Sequence, residues 1–338
     1  MQIPADAWQV GPWNRYAYVH VSDVVPTVPV SSGEVRELRV EPVDLDLELD
    51  PYTDGLAVVR DGALLYERYG GEMDATSLHL SQSVGKSVLG LTAAIVGVDP
   101  QALVTDFVAE VGDSGYAGAT VRHLLDMTAA IDFVEDYQSF VHYDAACGWH
   151  PPIPGSPGSI LEFLPTIGPA AWGHGERWHY ATPNTDLLGL VVERVAGAPL
   201  AQVISERLWA PMGAEADAEL TVDPAGMGAP GGGFCARLRD YARLGALVAD
   251  RGRGIVPPDW IAALGATPIV NPTTVEHADG YANQWWTRDG RVTARGIHGQ
   301  TISVAPNRTV VAILSSWPDA VDERRDAFQR ALVAHINA

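Results

Sequence analysis

The stretch Leu80–Gly90, LSQSVGKSVLG, contains Lys86, the only lysine of the chain; the other 21 of its 22 basic residues are arginine. Lys86 follows Ser83 by three residues, in the pattern Ser-x-x-Lys. A serine hydroxyl needs an adjacent base to become a nucleophile. Lysine supplies that base once burial or a neighbouring cation lowers its pKa, whereas arginine stays protonated. The stretch therefore predicts a serine nucleophile with a lysine partner.

A helix is predicted to begin at Ser83. The apolar residues after it recur with helical spacing, at Val84, Val88, Leu91 and Ile95. Residues three apart lie on one face of a helix, so the Lys86 amine can reach the Ser83 oxygen. The N–H groups and partial positive charge of the helix N-terminus suit a developing oxyanion. Ser-x-x-Lys also occurs by chance, and catalysis needs support from further elements.

The order of strands and helices predicts an α+β fold. Residues 56–70, LAVVRDGALLYERYG, indicate two strands joined by Asp61-Gly62, a strong hairpin signal. Short strands recur near the C-terminal end, and the middle of the chain holds helical runs between Pro/Gly-rich loops. This pattern predicts one antiparallel sheet built from both chain ends, flanked by helices, with an inserted helical subdomain. The predicted division is 1–100 with 236–338 for the sheet domain and 101–235 for the mainly helical subdomain, with the active-site cleft between them.

Composition narrows the choice of partner. A net charge of −20 argues against nucleic acid and anionic membranes, which need clustered basic residues, and leaves a small molecule as the expected partner. No apolar run has the length of a membrane helix and the first residues do not resemble a signal peptide, so a cytoplasmic location is predicted. Cys147 and Cys235 fit a reducing compartment. No metal and no cofactor are predicted, and a homodimer is a further possibility.

Residues 226–231, GMGAPG, match the dinucleotide pattern G-x-G-x-x-G. That pattern binds a dinucleotide only within a strand–turn–helix unit followed by a second strand. The surrounding sequence fits such a unit poorly. We therefore interpret the segment as a glycine-rich loop lining the cleft.

Two further segments support a catalytic centre. Tyr180, in WHYATPNTDLLG, would have its phenol pKa lowered beside a lysine ammonium and could shuttle protons; the alternative is a packing residue with a bonded hydroxyl. The strand ARGIHGQTISV contains Gly296 and Gly299, and glycine in a strand often marks close approach of a ligand to the backbone. The Ile297 N–H could then join that of Ser83 in an oxyanion hole. The alternative is a bulge or a tight packing contact.

In this order, Ser83-x-x-Lys86, Tyr180 and the glycine-containing strand resemble the serine β-lactamase/penicillin-binding superfamily. The likeness is to its class C-like branch, which includes family VIII esterases and 6-aminohexanoate-dimer (nylon oligomer) hydrolases. Segments such as YATPNTDLLG, GGGFCARLRDYARLG and RGIHGQ extend it over nearly the whole chain. The resemblance implies a β-lactamase/transpeptidase-like fold. It also implies Ser83 as nucleophile, Lys86 and Tyr180 as base and acid, and the N–H groups of Ser83 and Ile297 as oxyanion donors.

The resemblance implies a substrate-binding set as well, made up of Tyr137, Asp144, Trp149, Asn184, Gly296 and His298. In nylon-oligomer hydrolases the residue matching Asp144 offers a carboxylate to a substrate ammonium, which favours a cationic amine end. The residue matching Trp149 belongs to a closing loop, and the tyrosine matching Tyr137 moves toward the scissile amide.

Two departures from the superfamily pattern concern substrate contacts. The Tyr-x-Asn element would place asparagine at Thr182, and the nearest asparagine is Asn184. The Lys-Thr-Gly element reads Ala294-Arg295-Gly296, so the lysine that helps to hold a β-lactam carboxylate is absent. Arg295 or His298 could substitute for it in part. These departures weaken the β-lactamase interpretation.

The predicted function is hydrolysis of short linear amides, of the 6-aminohexanoate-oligomer type, through an acyl-enzyme. Which of Lys86 and Tyr180 is the general base stays open, because coupled groups titrate as a unit. A carboxylesterase with the same centre is the first alternative. A non-hydrolytic, penicillin-recognising or ligand-binding module is the second.

Overall fold

The computed structural model describes residues 3–136, 141–272 and 278–337. Within these ranges the chain forms strands β1 to β12 at Thr27–Val30, Arg39–Val40, Thr53–Arg60, Ala63–Tyr69, His79–Leu80, Ala218–Thr221, Phe234–Ala236, Gly280–Ala282, Trp285–Arg288, Arg291–Gly296, Gln300–Val304 and Thr309–Ser315. Helices α1 to α12 lie at Asn14–Ala17, Val84–Val96, Val104–Phe107, Val121–Leu125, Val141–Ala146, Ile160–Phe163, Thr182–Ala196, Leu200–Ile204, Ala210–Met212, Leu238–Ala249, Pro258–Ala262 and Glu323–Ile336. A π-helical turn, Ser205–Trp209, joins α8 to α9. Short 3₁₀ turns lie at Val21–Asp23, Ala109–Val111, Leu164–Thr166 and Ile297–Gly299.

The main sheet has eight strands in the order β2-β4-β3-β12-β11-β10-β9-β8. Strands β3 and β4 form the predicted hairpin, with Asp61 (φ 50°) and Gly62 (φ 74°) in the left-handed region that a two-residue turn requires. Strand β3, from the N-terminal part, pairs antiparallel with β12 from the C-terminal part. The prediction of one antiparallel sheet built from both chain ends and flanked by helices is therefore confirmed, although the edge strand β2 pairs parallel to β4.

The two faces of the central strands are covered by different layers. Ala57, Val59, Val310 and Ala312 belong to the large core that includes α2 and α10. Leu56, Val58, Val311 and Ile313 pack in a smaller apolar cluster with the end of α12. A strand buried on both faces needs apolar residues throughout instead of an alternating pattern, which explains the continuous apolar runs of β3 and β12.

A second sheet, in the order β1-β6-β7-β5, was not predicted from the sequence. Its strands have two to four residues each, and β6 and β7 come from the middle of the chain. Leu80, in β5, pairs with Cys235 in β7. This pairing holds the segment just before Ser83 against β7, the strand that follows the glycine-rich loop. The division into a discontinuous sheet domain and a mainly helical subdomain stays a prediction.

In the part of the chain that the structure describes, no single helix is long and apolar enough to cross a membrane. One bent pair, Thr182–Ala196 with Leu200–Met212, meets that test together by length and composition.

Candidate active site

Ser83 stands at the junction between β5 and α2, and the chain turns sharply to place it there. The turn residue, Gln82, has a φ of 49°, in the left-handed region that costs an ordinary residue roughly 1 kcal/mol or more. Its side-chain Nε2 donates to the Tyr18 hydroxyl at 2.9 Å. The Ser81 N–H donates to the Phe234 carbonyl at 2.9 Å. Long-range hydrogen bonds from the strained residue itself and from the residue before it hold Ser83 at the helix N-cap.

Lys86 lies one helical turn further on, with its amine inside the protein. The residue is 1% exposed, and its Nζ lies 2.9 Å from Ser83 Oγ. The same Nζ donates to Thr182 Oγ1 at 3.0 Å and to the Gly231 carbonyl at 2.5 Å. Burial lowers the pKa of Lys86 from 10.5 to about 8, against the opposing effect of Glu135, Asp186 and Cys147. The amine therefore titrates near neutral pH within contact distance of the serine.

Thr182 and Glu135 join this centre and were not predicted from the sequence. The Thr182 N–H, at the start of α7, donates to Glu135 Oε2 at 2.9 Å. The Thr182 hydroxyl donates to Glu135 Oε1 at 2.5 Å. Thr182 occupies the position where the superfamily pattern has asparagine, so that departure was the one available signal. Glu135 carried no signal, because its contact depends on a loop folding back over a helix 47 residues later.

Asp186 and the glycine-rich loop form the wall behind the lysine. Asp186 accepts hydrogen bonds from the Gly231 N–H at 3.0 Å and from the Tyr143 hydroxyl. Burial raises the pKa of Asp186 to about 6. A Cβ on Gly231 would lie 2.5 Å from the Thr182 methyl carbon, so only glycine fits between the two. The predicted cleft-lining role of this loop is confirmed, because Gly231 and Gly232 line the same cavity as Ser83.

Tyr180 contacts Lys86 from an aromatic cluster. Its ring stacks on Trp286 with centroids 5.4 Å apart, and Lys86 Nζ lies 5.2 Å from the ring centroid. Trp178 and Tyr281 complete the cluster. The structure therefore brings together the three residues that the sequence predicted as a catalytic set.

Gly296 places the C-terminal strand against the turn before the serine. A Cβ on Gly296 would meet the Ser81 carbonyl oxygen at 2.5 Å and Gln82 Cβ at 3.0 Å. This close approach is to the protein's own backbone, which corresponds to the alternative of a tight packing contact. The residue after Gly296 is Ile297, which lines the cavity together with Ser83.

A cavity of about 850 Å³, including its open mouth, lies over Ser83. Among the described residues its lining includes five of the predicted substrate or oxyanion residues, namely Ser83, Asp144, Trp149, Ile297 and His298. Asn184 is fully buried and donates to Met127 Sδ at 3.5 Å, so the structure does not bring its side chain to the cavity. Tyr137 lies outside the described residues.

Asp144 and Trp149 form one side of the cavity. Burial, and secondarily the charge of Glu135, raise the pKa of Asp144 to about 7. Trp149 is held by the hydrogen bond from its Nε1 to Thr221 Oγ1 at 3.1 Å and by edge contact with Trp8 at 5.3 Å. A carboxyl group that is costly to ionise thus faces the cavity next to a fixed aromatic wall.

Neither predicted substitute for the missing lysine provides a cation in the cavity. His298 Nδ1 lies 2.6 Å from the Trp317 carbonyl, and burial lowers the pKa of His298 to about 4, so its ring is neutral at pH 7. Arg295 pairs with Asp326 at 2.9 Å and lines a different groove. The expectation that His298 or Arg295 replaces that positive charge is wrong. Within the described ranges, no cluster of three or more His, Cys, Asp or Glu residues could hold a metal ion.

Comparison with known proteins assigns this arrangement to a family. The sequence profile named Beta-lactamase matches residues 52–335. The chain belongs to the beta-lactamase family. It is therefore a serine hydrolase, and the alternative of a non-hydrolytic module is removed. The family resemblance predicted from the sequence is confirmed, and so is the fold class.

Individual known proteins are similar to most or nearly all of the chain. A 6-aminohexanoate-dimer hydrolase of Paenarthrobacter ureafaciens is 34% identical over 366 residues, which cover 98% of this chain and 93% of the relative. A protein of Bacillus anthracis, described as a candidate 6-aminohexanoate-dimer hydrolase, superposes with a TM-score of 0.88 at 22% identity, covering 98% of this chain and 96% of its own. EstCE1, a hydrolase with promiscuous acyltransferase activity, has a TM-score of 0.65 at 16% identity, covering 83% of this chain and 93% of its own. The beta-lactamase fold accordingly extends over nearly all of the chain.

Proposed function

We propose that this hydrolase cleaves short linear amides through an acyl-enzyme on Ser83. The observation that carries the proposal is the 2.9 Å separation between Ser83 Oγ and the buried Nζ of Lys86. The substrate class is supported by the 6-aminohexanoate-dimer hydrolase to which the chain is 34% identical. A cytoplasmic location and a homodimer stay predictions from the sequence.

The hydrogen-bond directions around Lys86 favour it as the general base. A neutral amine has two N–H donors and one lone pair. The Gly231 carbonyl accepts one N–H. Thr182 Oγ1 accepts the other, because its single proton is donated to the Glu135 carboxylate. The lone pair is then directed at Ser83 Oγ, the third neighbour of Nζ.

The reaction follows from this arrangement. Ser83 Oγ attacks the amide carbon as its proton passes to Lys86 Nζ. The N–H groups of Ser83 and Ile297 stabilise the oxyanion. Tyr180 donates a proton to the leaving nitrogen and is reprotonated from the Lys86 ammonium, so the C–N bond breaks and the amine leaves. Water then attacks the Ser83 ester as its proton passes to Lys86 Nζ. The bond between the carbonyl carbon and Ser83 Oγ breaks, and the proton returns to Oγ as the acid leaves.

Asp144 supports a substrate with an ammonium end. An ammonium beside this half-buried carboxyl group would form a charge-assisted hydrogen bond, about twice as strong as a neutral one. Removal of the Asp144 proton then accompanies binding, since its pKa is raised to about 7 in the empty cavity. With His298 neutral and Arg295 in a different groove, neither residue replaces the lysine that helps to hold a β-lactam carboxylate, which favours a linear amide over a β-lactam.

The test compares linear 6-aminohexanoate dimer with p-nitrophenyl acetate, using the parent chain and Ser83→Ala. We expect turnover of both compounds and an acyl adduct in the intact mass. Ser83→Ala should lose the adduct and both activities, while the matched variant Ser31→Ala, at an exposed serine, should keep them. Ester turnover without amide turnover would refute amide hydrolysis and leave the esterase alternative. An adduct retained in Ser83→Ala would refute the nucleophile.

A further inference from the structure

A polar groove lies between the main sheet and α12, away from the active site. Side chains alternate between the two faces of a strand. Val292, Ala294, Ile302 and Val304 of β10 and β11 face the large core. The alternate residues form the floor of the groove, which consists of Arg291, Thr293 and Arg295 of β10 with Thr301 and Ser303 of β11. The groove shares no described lining residue with the cavity over Ser83.

Helix α12 forms the roof, and its contacts change character along the sheet. Asp326, Gln329, Arg330 and Val333 line the groove, at the i, i+3, i+4 and i+7 spacing of one helix face. Over β3 and β12 the same helix packs through Leu332, Val333 and Ile336 in an apolar cluster. A helix that packs on a sheet normally buries apolar residues. Over β10 and β11, arginines and hydroxyls take the place of this apolar contact. Helix packing alone does not account for them.

Arg288, at the end of β9, gives the main evidence that the groove binds a ligand. It is 8% exposed, and within the described ranges its Nη2 is buried with no hydrogen-bond partner. Arg291 pairs with Arg288 in the sheet register, and its Nε is likewise buried with no hydrogen-bond partner among the residues that the structure describes. Removing a guanidinium from water without a partner is costly. Burial, with the charges of Arg295 and Arg330, lowers the pKa of Arg288 to about 10.

The charge of the groove is opposite to that of the chain. Four arginines and two aspartates line the groove. One of the aspartates, Asp326, is shared between Arg295 and Arg325. The whole chain carries a net charge of −20. A local excess of positive charge in an acidic protein attracts anions to that point of the surface.

We propose that this groove binds a small phosphoryl dianion, either free phosphate or a phosphate monoester. Arginine donors reach the groove from two strands and from α12, and the hydroxyls of Thr293 and Ser303 face each other across the β10–β11 register. Donors that converge from several directions match the three or four oxygens of a tetrahedral phosphoryl group. A carboxylate presents two oxygens in a plane, which suits a single arginine fork. The groove encloses about 440 Å³ including space open to solvent, enough for such a group.

The experiment is calorimetric titration of the full chain with inorganic phosphate, glycerol phosphate and succinate at constant ionic strength. We expect saturable phosphate binding that Arg288→Met weakens about tenfold or more, the loss expected for one hydrogen bond to a charged group. Tighter binding of glycerol phosphate identifies a phosphate ester as the ligand, and tighter binding of inorganic phosphate identifies the free ion.

Two variants complete the design. Arg68→Met removes an arginine from the exposed surface of β4 and should leave phosphate binding unchanged. Arg330→Gln removes an exposed groove arginine and should weaken binding severalfold; it decides the matter if Arg288→Met fails to fold. The proposal is overturned if no saturable phosphate binding occurs, if succinate binds more tightly than phosphate, or if the folded groove variants bind phosphate as the parent does.

Discussion

Lys86 should titrate near pH 8 in the folded protein, and this can be measured directly because the chain has one lysine. Labelling with lysine enriched in ¹³C at Cε gives a single resonance whose shift follows the protonation of the amine. We expect a midpoint near 8 in the folded chain and near the ordinary value of 10.5 in urea. If Lys86 is the base, kcat/KM for the amide should rise with pH through the same midpoint, because only the neutral amine accepts the Ser83 proton.

The same difference predicts a change in stability. A pKa of about 8 instead of 10.5 corresponds to about 3 kcal/mol, at 1.36 kcal/mol per pH unit. Between these two values the unfolded chain binds more protons than the folded chain, so the free energy of unfolding rises with pH. The free-energy cost of burying the Lys86 ammonium is present in full below pH 8 and is absent above pH 10.5.

Lys86→Met removes the titrating group and isolates this effect. The difference in unfolding free energy between parent and variant should shift by about 3 kcal/mol in favour of the parent from pH 7 to pH 11. The tyrosines titrate in both proteins and cancel, and any constant effect of lost hydrogen bonds cancels as well. Amide turnover should fall by about 10²–10⁴-fold, the usual contribution of a general base. Ser83→Ala is the control, since it removes activity and keeps the lysine.

Two results would refute this reasoning. One is a folded-state midpoint at or above 10, which would mean that the amine is solvated. The other is a parent–variant difference in unfolding free energy that does not depend on pH. Lys86→Arg with undiminished activity would also contradict the role of the amine, because arginine stays protonated throughout this range.

Three further perturbations test the surroundings of the centre. Thr182→Val should lower kcat by about 10–100-fold, the loss of one hydrogen bond to a charged group, and should shift the rising limb of the pH profile to lower pH because the ammonium loses an acceptor. Thr182→Ser should restore both, and an unchanged profile in the valine variant would argue for a packing role alone. Asp144→Asn should raise KM for an amine-terminated amide by about tenfold or more and remove the part of its pH dependence near 7, while the N-acetylated amide is unaffected; equal effects on both substrates would contradict the ammonium contact. Gly296→Ala places a Cβ 2.5 Å from the Ser81 carbonyl oxygen and should lower the unfolding free energy by about 1–3 kcal/mol together with activity. Gly168→Ala, with open space around the added Cβ, is the thermal-unfolding control, and equal melting temperatures for the two variants would contradict the packing argument.

The sequence predicted the parts of the fold that depend on signals within a single segment. The hairpin depends on Asp61-Gly62 in the left-handed conformation, and α2 depends on apolar spacing within a single segment. The second sheet was missed because its strands have two to four residues and pair across the chain, as Thr27 does with Thr221. Strands that short show no periodicity to detect.

Local sequence signals were also insufficient to predict the substrate-binding residues. Asn184 belongs to the predicted substrate-binding set and is the asparagine nearest to Thr182, two positions away. On a helix, positions two apart face different directions, so Thr182 meets Lys86 while Asn184 points into the interior. Glu135 had no local signal at all.

The sequence alone determined that Ser83 and Lys86 lie side by side, because three residues along a helix put the two side chains on one face whatever surrounds them. Tertiary structure decided the environment of that lysine, on which its proposed role as a base depends. Burial lowers its pKa, and Gly231 and Thr182 occupy its N–H groups. Both effects require segments 96 and 145 residues further along the chain to pack around the amine. The desolvation of Lys86 and the directions of its hydrogen bonds are therefore properties of the folded chain only.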